Sequence, residues 1–364
     1  MNPIFSDEHW MAQAIALAKK GQRTTTPNPN VGCVIVKDGV LVGSGFHYQA
    51  GTPHAEVHAL AEAKDNAAGA TAYVTLEPCS HFGRTPPCAE ALIAAGVARV
   101  VCAMMDPNPL VSGQGVGLLA SAGIEVVTGV LAESAEALNP GFLQRMRTGM
   151  PFVTLKMASS LDGGTALASG ESQWITGPQA RQDVQQWRAK SCAIVTGVGT
   201  VVADDPLLNV RLPGQHRQPV RIILDARGRT PLDAKMVDEE GDTIIVHGDL
   251  LSSAQVSAYQ HRGYKTQVMP LVDGQIDLLA FMAWAAQQPY NSLWIEAGAT
   301  LAGAFVAAKL VNQIVLYQAP MLLGANARPV IGQEISVLSM AHQLNVSDVR
   351  FIGRDIRWLL TPLA

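Results

Sequence analysis

The chain lacks any run of Lys or Arg: 26 basic residues stand against 30 acidic ones among 364, a formal net charge of −4. Nucleic-acid binders carry a basic stripe that neutralises phosphates, so no nucleic-acid partner is expected and a small-molecule substrate is favoured. No stretch of about 20 apolar residues occurs, which argues against a membrane span. Residues 1–10 are mixed and include Asp7 and Glu8, so no basic segment followed by an apolar one reads as a secretion signal, and the cytoplasm is the expected compartment. Cysteine is scarce: Cys33, Cys79, Cys88, Cys102 and Cys192 make an odd count that suits reduced thiols better than a disulfide framework. No internal repeat and no low-complexity tract is visible.

What is present is an α/β composition, 48% hydrophobic and 15% charged with 33 glycines. The length exceeds the usual size of one domain, so two are expected. Ser6 is placed to cap a helix that Gly21 ends. Residues 31–36 and 40–42 flank Lys37-Asp38-Gly39 and predict a hairpin. The pattern then alternates: helix 53–64, strand 71–76, helix 86–95, strand 97–103, helix 115–122, strand 124–128 and a helix over 133–147. Thr148-Gly149-Met150-Pro151 interrupts that last helix. The boundary is placed there, giving domains 1–148 and 151–364. The second half predicts strands at 152–157, 193–196, 221–224, 243–247, 266–270, 292–296 and 313–318, with helices at 178–190, 254–261, 278–287 and 301–310. That is the pattern of a mainly parallel sheet covered on both faces.

The strongest chemical signal is His54-Ala55-Glu56, then Glu77-Pro78-Cys79 and, after eight intervening residues, Cys88. It matches the His/Cys/Cys zinc site with a non-ligating glutamate used by hydrolytic deaminases. Three protein ligands leave the fourth zinc position open for a water, and Glu56 alone can serve both proton steps. In mid-helix His54 and Glu56 would point roughly 200° apart, so they are expected in the first, irregular turn after Gly51-Thr52-Pro53. A zincin pair of His54 and His58 would need Glu where Ala55 stands. A structural site of two Cys and two His usually pairs its ligands at shorter spacing. His47, His58 and His81 are read as pocket-rim or structural residues, and Cys33, Cys102 and Cys192 as core thiols.

The second half has no Gly-x-Gly-x-x-Gly: Gly197-Val198-Gly199-Thr200 lacks the third glycine, and no Walker lysine follows a glycine-rich turn. Gly298-Ala299-Thr300-Leu301-Ala302-Gly303 follows a predicted strand and opens a helix, where backbone amides can hold a coenzyme phosphate or merely make a tight connection.

Taken with Pro27-Asn28-Pro29-Asn30-Val31-Gly32, Ser80-His81-Phe82-Gly83-Arg84-Thr85-Pro86-Pro87 between the two cysteines, Ser160-Leu161-Asp162-Gly163, Ser169-Gly170-Glu171-Ser172-Gln173-Trp174-Ile175-Thr176 and Ala203-Asp204-Asp205-Pro206-Leu207, the chain resembles the bifunctional riboflavin-biosynthesis deaminase/reductases. Nucleic-acid deaminases carry Pro-Cys-x-x-Cys instead. The resemblance covers nearly the whole chain. It implies an α/β protein: a cytidine-deaminase-like three-layer α/β/α domain followed by a dihydrofolate-reductase-like α/β domain. It implies one zinc per chain at His54, Cys79 and Cys88, with Glu56 as the catalytic group, and NADPH as coenzyme. The implied substrate is 2,5-diamino-6-ribosylamino-4(3H)-pyrimidinone 5′-phosphate, deaminated in the first half and reduced from ribosyl to ribityl in the second. A homo-oligomer is expected.

By the same resemblance, either Asn28 or Asn30 meets the pyrimidine, unless they only shape a turn. Ala158, Trp174, Thr200, Asp204 and the turn Gly298, Ala299, Thr300, Leu301, Ala302, Gly303, Ala304 lie beside NADPH. Ser172, Arg188, Leu208, Arg211 and Glu296 face the substrate. Arg188 on a solvated helix surface and Asp204 as a turn residue are the structural alternatives. Arg211 suits either the substrate's 5′-phosphate or the coenzyme's 2′-phosphate, with the substrate favoured. Gly164 stands where the family often has Arg, which puts a phosphate contact there in doubt. The rival functions are a nucleic-acid base deaminase with an unrelated C-terminal domain and a non-catalytic zinc scaffold; the long cysteine spacing opposes the first and Glu56 the second.

Overall fold

The computed structural model describes residues 5–80, 87–109, 111–214 and 217–363. The chain divides into two compact units, Met1–Gly149 and Met150–Ala364. Among the described residues no helix is long and apolar enough to cross a membrane.

The first unit runs α1 (Asp7–Ala18), β1 (Gly32–Lys37), β2 (Val40–Phe46), α2 (Ala55–Ala63), β3 (Thr71–Val74), α3 (Cys88–Ala94), β4 (Arg99–Cys102), α4 (Gln114–Ser121), β5 (Glu125–Thr128), α5 (Ala132–Glu136) and α6 (Pro140–Thr148). Ser6 caps α1, its side chain accepting from the His9 N–H. Asp38 and Gly39 take positive φ and turn β1 into β2. The sheet order is β2-β1-β3-β4-β5, with β1 antiparallel to β2 and β3 and the remaining pairs parallel.

Strand alternation divides the core in two. Cys33, Ile35, Val74 and Cys102 meet α2, α3 and α4 through Ala55, Ala59, Ala89, Leu92 and Leu119. Val34, Val36, Tyr73 and Val101 meet the other helices through Met11, Ala14, Ala135 and Leu143. This is the three-layer α/β/α arrangement. Helix α2 lies unusually close to β2: a Cβ on Gly43 or Gly45 would stand 2.2 or 2.4 Å from the carbonyl oxygens of Ala59 and Ala55. The glycines therefore set the height at which the helix begins. The helix expected over 133–147 is two helices, because Pro140 has no N–H to continue α5 and instead occupies the first position of α6.

The second unit runs β6 (Phe152–Ser160), β7 (Gly164–Ala166), α7 (Pro178–Lys190), β8 (Ala193–Gly197), α8 (Val198–Asp204), β9 (Val220–Leu224), β10 (Thr243–His247), α9 (Ser253–Arg262), β11 (Lys265–Val268), β12 (Leu271–Val272), β13 (Gln275–Ile276), α10 (Leu278–Gln287), β14 (Ser292–Glu296), α11 (Ala299–Ala307), β15 (Gln313–Ala319), β16 (Arg328–Pro329), β17 (Leu344–Ile352) and β18 (Asp355–Pro362). Its large sheet has the order β11-β10-β9-β8-β14-β6-β15-β18-β17. The seven strands from β11 to β15 are parallel; β18 and β17 add an antiparallel hairpin that the sequence reading did not assign. Phe281, Ala285, Ala302 and Phe305 of α10 and α11 cover one face, and Ala180, Val184, Val201 and Tyr259 of α7, α8 and α9 the other. Parallel pairing brings the C-terminal ends of β6, β8, β9 and β14 to one edge, where such sheets bind ligands.

Candidate active sites

His54 is the cap residue of α2, with extended backbone (φ −76°, ψ 169°), and Glu56 lies in that helix's first turn. The extended cap is what lets two residues only two apart serve one site. Cys79 follows the β3 strand by five residues, and Cys88 is the first residue of α3. The three side chains converge: His54 Nδ1 lies 3.6 Å from Cys79 Sγ and 3.3 Å from Cys88 Sγ. All three ligand atoms fall within 4.8 Å of one another. Tetrahedral ligands at roughly 2.1 Å (N) and 2.3 Å (S) would be about 3.6 Å apart, so the triangle fits zinc. The Cys88 N–H also donates to Cys79 Sγ at 3.3 Å. Hydrogen bonds from Cys88 and His54 overcome partial burial and hold the Cys79 thiol down to about 4, the form that binds a metal.

Glu56 is buried, and its Oε2 has no hydrogen-bond partner among the described residues. Burial pushes its carboxyl up to about 7, where it can both take and give a proton at neutral pH. Glu56, His54 and Cys79 face an open pocket of about 580 Å³, with Phe142 and Met146 of α6 on its wall.

Asn28 and Asn30 separate here. Asn30 is committed internally: its Oδ1 accepts from Thr25 at 2.7 Å, and its Nδ2 donates to the Leu138 carbonyl and Asn139 Oδ1, both at 3.0 Å. Asn28 lines the pocket, with Nδ2 3.0 Å from His47 Nε2. His47 Nδ1 lies 3.1 Å from the Pro53 carbonyl, which can only accept. Nδ1 therefore carries the proton, Nε2 accepts, and the Asn28 amide must offer its NH₂ to His47. That leaves the Asn28 carbonyl oxygen for a ligand. His58 stays off the metal triangle, its ring edge-on to Tyr48. Cys33, Cys102 and Cys192 are buried. His81, with the rest of the motif from 82 to 86, lies outside the described residues.

The second site gathers at the C-terminal edge of the large sheet. Glu296 pairs in register with Lys156 of β6. Arg188 grips Glu296 with Nε and Nη2 at 2.5 and 2.8 Å, and Trp294 Nε1 donates to the same carboxylate at 2.7 Å. The solvated-surface reading of Arg188 is thus wrong: its third contact, Nη1 to the Asn209 carbonyl, is also inside. Arg211 is exposed and reaches Asn209 Oδ1. Burial pushes Lys156 below its ordinary value, and burial together with Arg188 does the same to Arg211. Three cations around one carboxylate leave an excess of positive charge.

Trp174 is 64% exposed and carries the Arg181 guanidinium at 4.4 Å from its ring centroid. Ser172 is half-buried in the same loop, Ala158 lies on β6, Thr200 is half-buried in α8, and Asp204 ends that helix exposed. Leu208 turns its side chain into the core. Gly298 caps α11 without a side-chain hydrogen bond, and the first-turn amides have no partner within the helix, while Ala302 and Gly303 face inward and Ala304 outward. At Gly164 a Cβ would meet Ala327 Cβ at 2.8 Å, so no arginine fits there without movement of the 323–327 segment.

Two family models match this chain: the RibD C-terminal domain over residues 151–356, and the cytidine and deoxycytidylate deaminase zinc-binding region over residues 5–104. Riboflavin biosynthesis protein RibD of Escherichia coli is 50% identical, with 96% of this chain and 98% of that protein covered. The Acinetobacter baumannii RibD structure (form 1) is 48% identical, with a TM-score of 0.90 over 98% of this chain and 99% of that one. The chain belongs to the RibD family. It is a bifunctional riboflavin-biosynthesis enzyme with a deaminase and a reductase domain. A diaminohydroxyphosphoribosylaminopyrimidine deaminase/5-amino-6-(5-phosphoribosylamino)uracil reductase of Thermotoga maritima is 33% identical, with a TM-score of 0.87 over 98% of this chain and 99% of that one. A RibD C-terminal domain excludes the rival of an unrelated appended domain.

Sequence reasoning on this RibD-family chain missed Lys156, whose signal was a single charge inside the apolar strand Phe152-Val153-Thr154-Leu155-Lys156-Met157. It also gave no role to Glu77. A pH test follows from the Arg188–Glu296 pair. Burial opposes ionisation of Glu296, but Arg188 outweighs it and holds the carboxyl at about 2, against an ordinary 4.5. The pair's contribution is therefore full above about pH 4.5 and is lost as pH falls toward 2. Glu296→Gln leaves Arg188 buried without its partner and is expected to cost about 3–5 kcal/mol at neutral pH. In equilibrium unfolding of the two proteins, the gap should narrow below about pH 4.5; a gap independent of pH would contradict the pairing.

Proposed function

We propose that the first unit releases the 2-amino group of 2,5-diamino-6-ribosylamino-4(3H)-pyrimidinone 5′-phosphate as ammonia, and that the second reduces the ribosyl group of the product to ribityl with NADPH. The observation that carries the first half is the His54, Cys79 and Cys88 triangle with Glu56 lining the same pocket, its Oε2 without a partner among the described residues. A zinc ion held by those three residues would supply Lewis acidity that makes a water nucleophilic at neutral pH. Glu56 takes a proton from that water and returns one to the departing amino group. Its burial supports this role, because a carboxyl raised to about 7 exchanges protons readily in both directions. Asn28, not Asn30, accepts a hydrogen bond from an N–H of the pyrimidine.

For the second half, NADPH would supply a hydride to the sugar's anomeric carbon, and the chain must deliver a proton to the ring oxygen as that ring opens. Lys156 supports this: its ammonium is desolvated, and it pairs in strand register with Glu296, whose charge favours the protonated form. Arg211, with Arg188 behind it, favours the ribotide's 5′-phosphate. The uncapped first turn of α11 and the open face of Trp174 suit the coenzyme's phosphates and rings. The reading places the enzyme in the cytoplasm, where Cys79 and Cys88 stay reduced for zinc.

Two variants test these halves. Glu56→Gln is expected to keep about one zinc per chain and lose deamination by several orders of magnitude, measured by metal analysis and ammonia release. Loss of the zinc, or near-normal ammonia release, would contradict the assignment. Arg211→Ala removes a charge-assisted contact of roughly 1.5–3 kcal/mol and should raise the ribotide KM about 10- to 100-fold, with the NADPH KM nearly unchanged. A raised NADPH KM with improved relative use of NADH would place Arg211 on the coenzyme instead.

A further inference from the structure

Glu77 immediately precedes Pro78 and the candidate ligand Cys79, and its side chain reaches the start of α4. It accepts four backbone hydrogen bonds. Oε2 takes the N–H groups of Asp106 and Gly113, both at 3.0 Å; Oε1 takes those of Gly115 and Val116 at 2.9 and 3.2 Å. The residue is buried. Gly113 caps α4 without any side chain of its own, and the first-turn amides have no partner within the helix. Glu77 supplies that partner and places a negative charge at the positive end of the helix.

A second observation shows the same docking from the other side. A Cβ on Gly115 would lie 2.0 Å from the Pro78 carbonyl oxygen, so the first turn of α4 rests directly on the turn that leads to Cys79. Ser80 Oγ adds a bond to Gln114 Oε1 at 3.4 Å. Asp106, tied to Glu77 through its N–H, lines the same pocket as Glu56, and so do Asn108 and Val111.

We propose that Glu77 is a positioning residue for deamination, clamping the β4–α4 loop to the turn that bears Cys79 and so fixing one wall of the substrate pocket at a set distance from the metal ligands. The proposal rests on the deaminase reading of that pocket. A carboxylate is required because two oxygens with no proton are the one side-chain end that accepts from four N–H groups at once. A glutamine would turn one end into a donor facing two donors. Glu77 takes no part in proton transfer, since its acceptor sites are held by the loop.

The test uses the zinc-loaded full-length enzyme. Glu77→Gln should raise the ribotide KM for ammonia release by about 10- to 100-fold while kcat stays within about threefold, with one zinc per chain and an unshifted pH–rate profile. NADPH-dependent reduction of the deaminated ribotide, measured on the same sample, should be unchanged. A fall in kcat at constant KM, or a moved pH profile, would put Glu77 in the chemistry, and loss of zinc would put it in the metal turn; either overturns the proposal. Should the variant not fold, amide hydrogen exchange on the wild type decides. The Gly113, Gly115 and Val116 amides should exchange at least about 100-fold slower than solvent-bonded first-turn amides. Fast exchange there would contradict the clamp. If wild-type enzyme releases no ammonia while these amides are protected, the deaminase reading fails and the clamp stands.

Discussion

The first turn of α2 depends on how closely that helix approaches β2. Gly43 and Gly45 remove the side chains that would hold it off, and the alanines at 55 and 59 present only methyl groups to the sheet. The helix therefore starts low, with His54 extended at its cap and Glu56 buried in its first turn. Larger residues at those glycines would lift both functional side chains together, away from cysteines that arrive on a different strand and helix. Close-packed interiors do not absorb such a shift for little cost.

The two units use one residue type in opposite ways. Glu56 and Glu296 are both largely buried carboxyls, and burial alone raises each. Glu56 has no guanidinium against it, His54 only partly offsets the burial, and the carboxyl sits at about 7. Glu296 has Arg188 against both oxygens and stays at about 2, a fixed charge that organises Lys156 and Arg211 around it. The difference between a carboxyl that can exchange protons at neutral pH and one held as a fixed charge is thus whether a guanidinium lies within hydrogen-bond reach.

Much of this was legible in the sequence, for reasons that differ by element. The period-2 and helical patterns, with Ser6, Asp38-Gly39 and Gly149 as punctuation, placed most strands and helices because each signal is local. The convergence of His54, Cys79 and Cys88 was legible because metal chemistry restricts residue type and spacing. Other features depended on tertiary context. Pro140 is visible in the sequence, but the surrounding helical pattern runs on across it, and only the structure shows that it starts a new helix. The β17–β18 hairpin carries mixed polar and apolar residues on an exposed sheet edge, so no clean alternation marks it. Asn28 and Asn30 sit two apart in the same Pro-rich loop, and only the partners His47, Thr25 and Asn139, all distant or across a turn, assign one outward and one inward. Glu77 read as part of a motif; its four amide partners come from residues 29 to 39 positions downstream.

The central claim is that the metal triangle is an open site built for a reacting water and not a closed structural one. X-ray absorption at the zinc edge of the full-length protein tests it most directly. The account predicts two sulfurs at about 2.3 Å, from Cys79 and Cys88, with one nitrogen and one further light atom at about 2.0–2.1 Å, and the light-atom shell should change when a pyrimidine ligand is added. A shell of three or four sulfurs, or two sulfurs and two imidazoles unchanged by ligand, would contradict it.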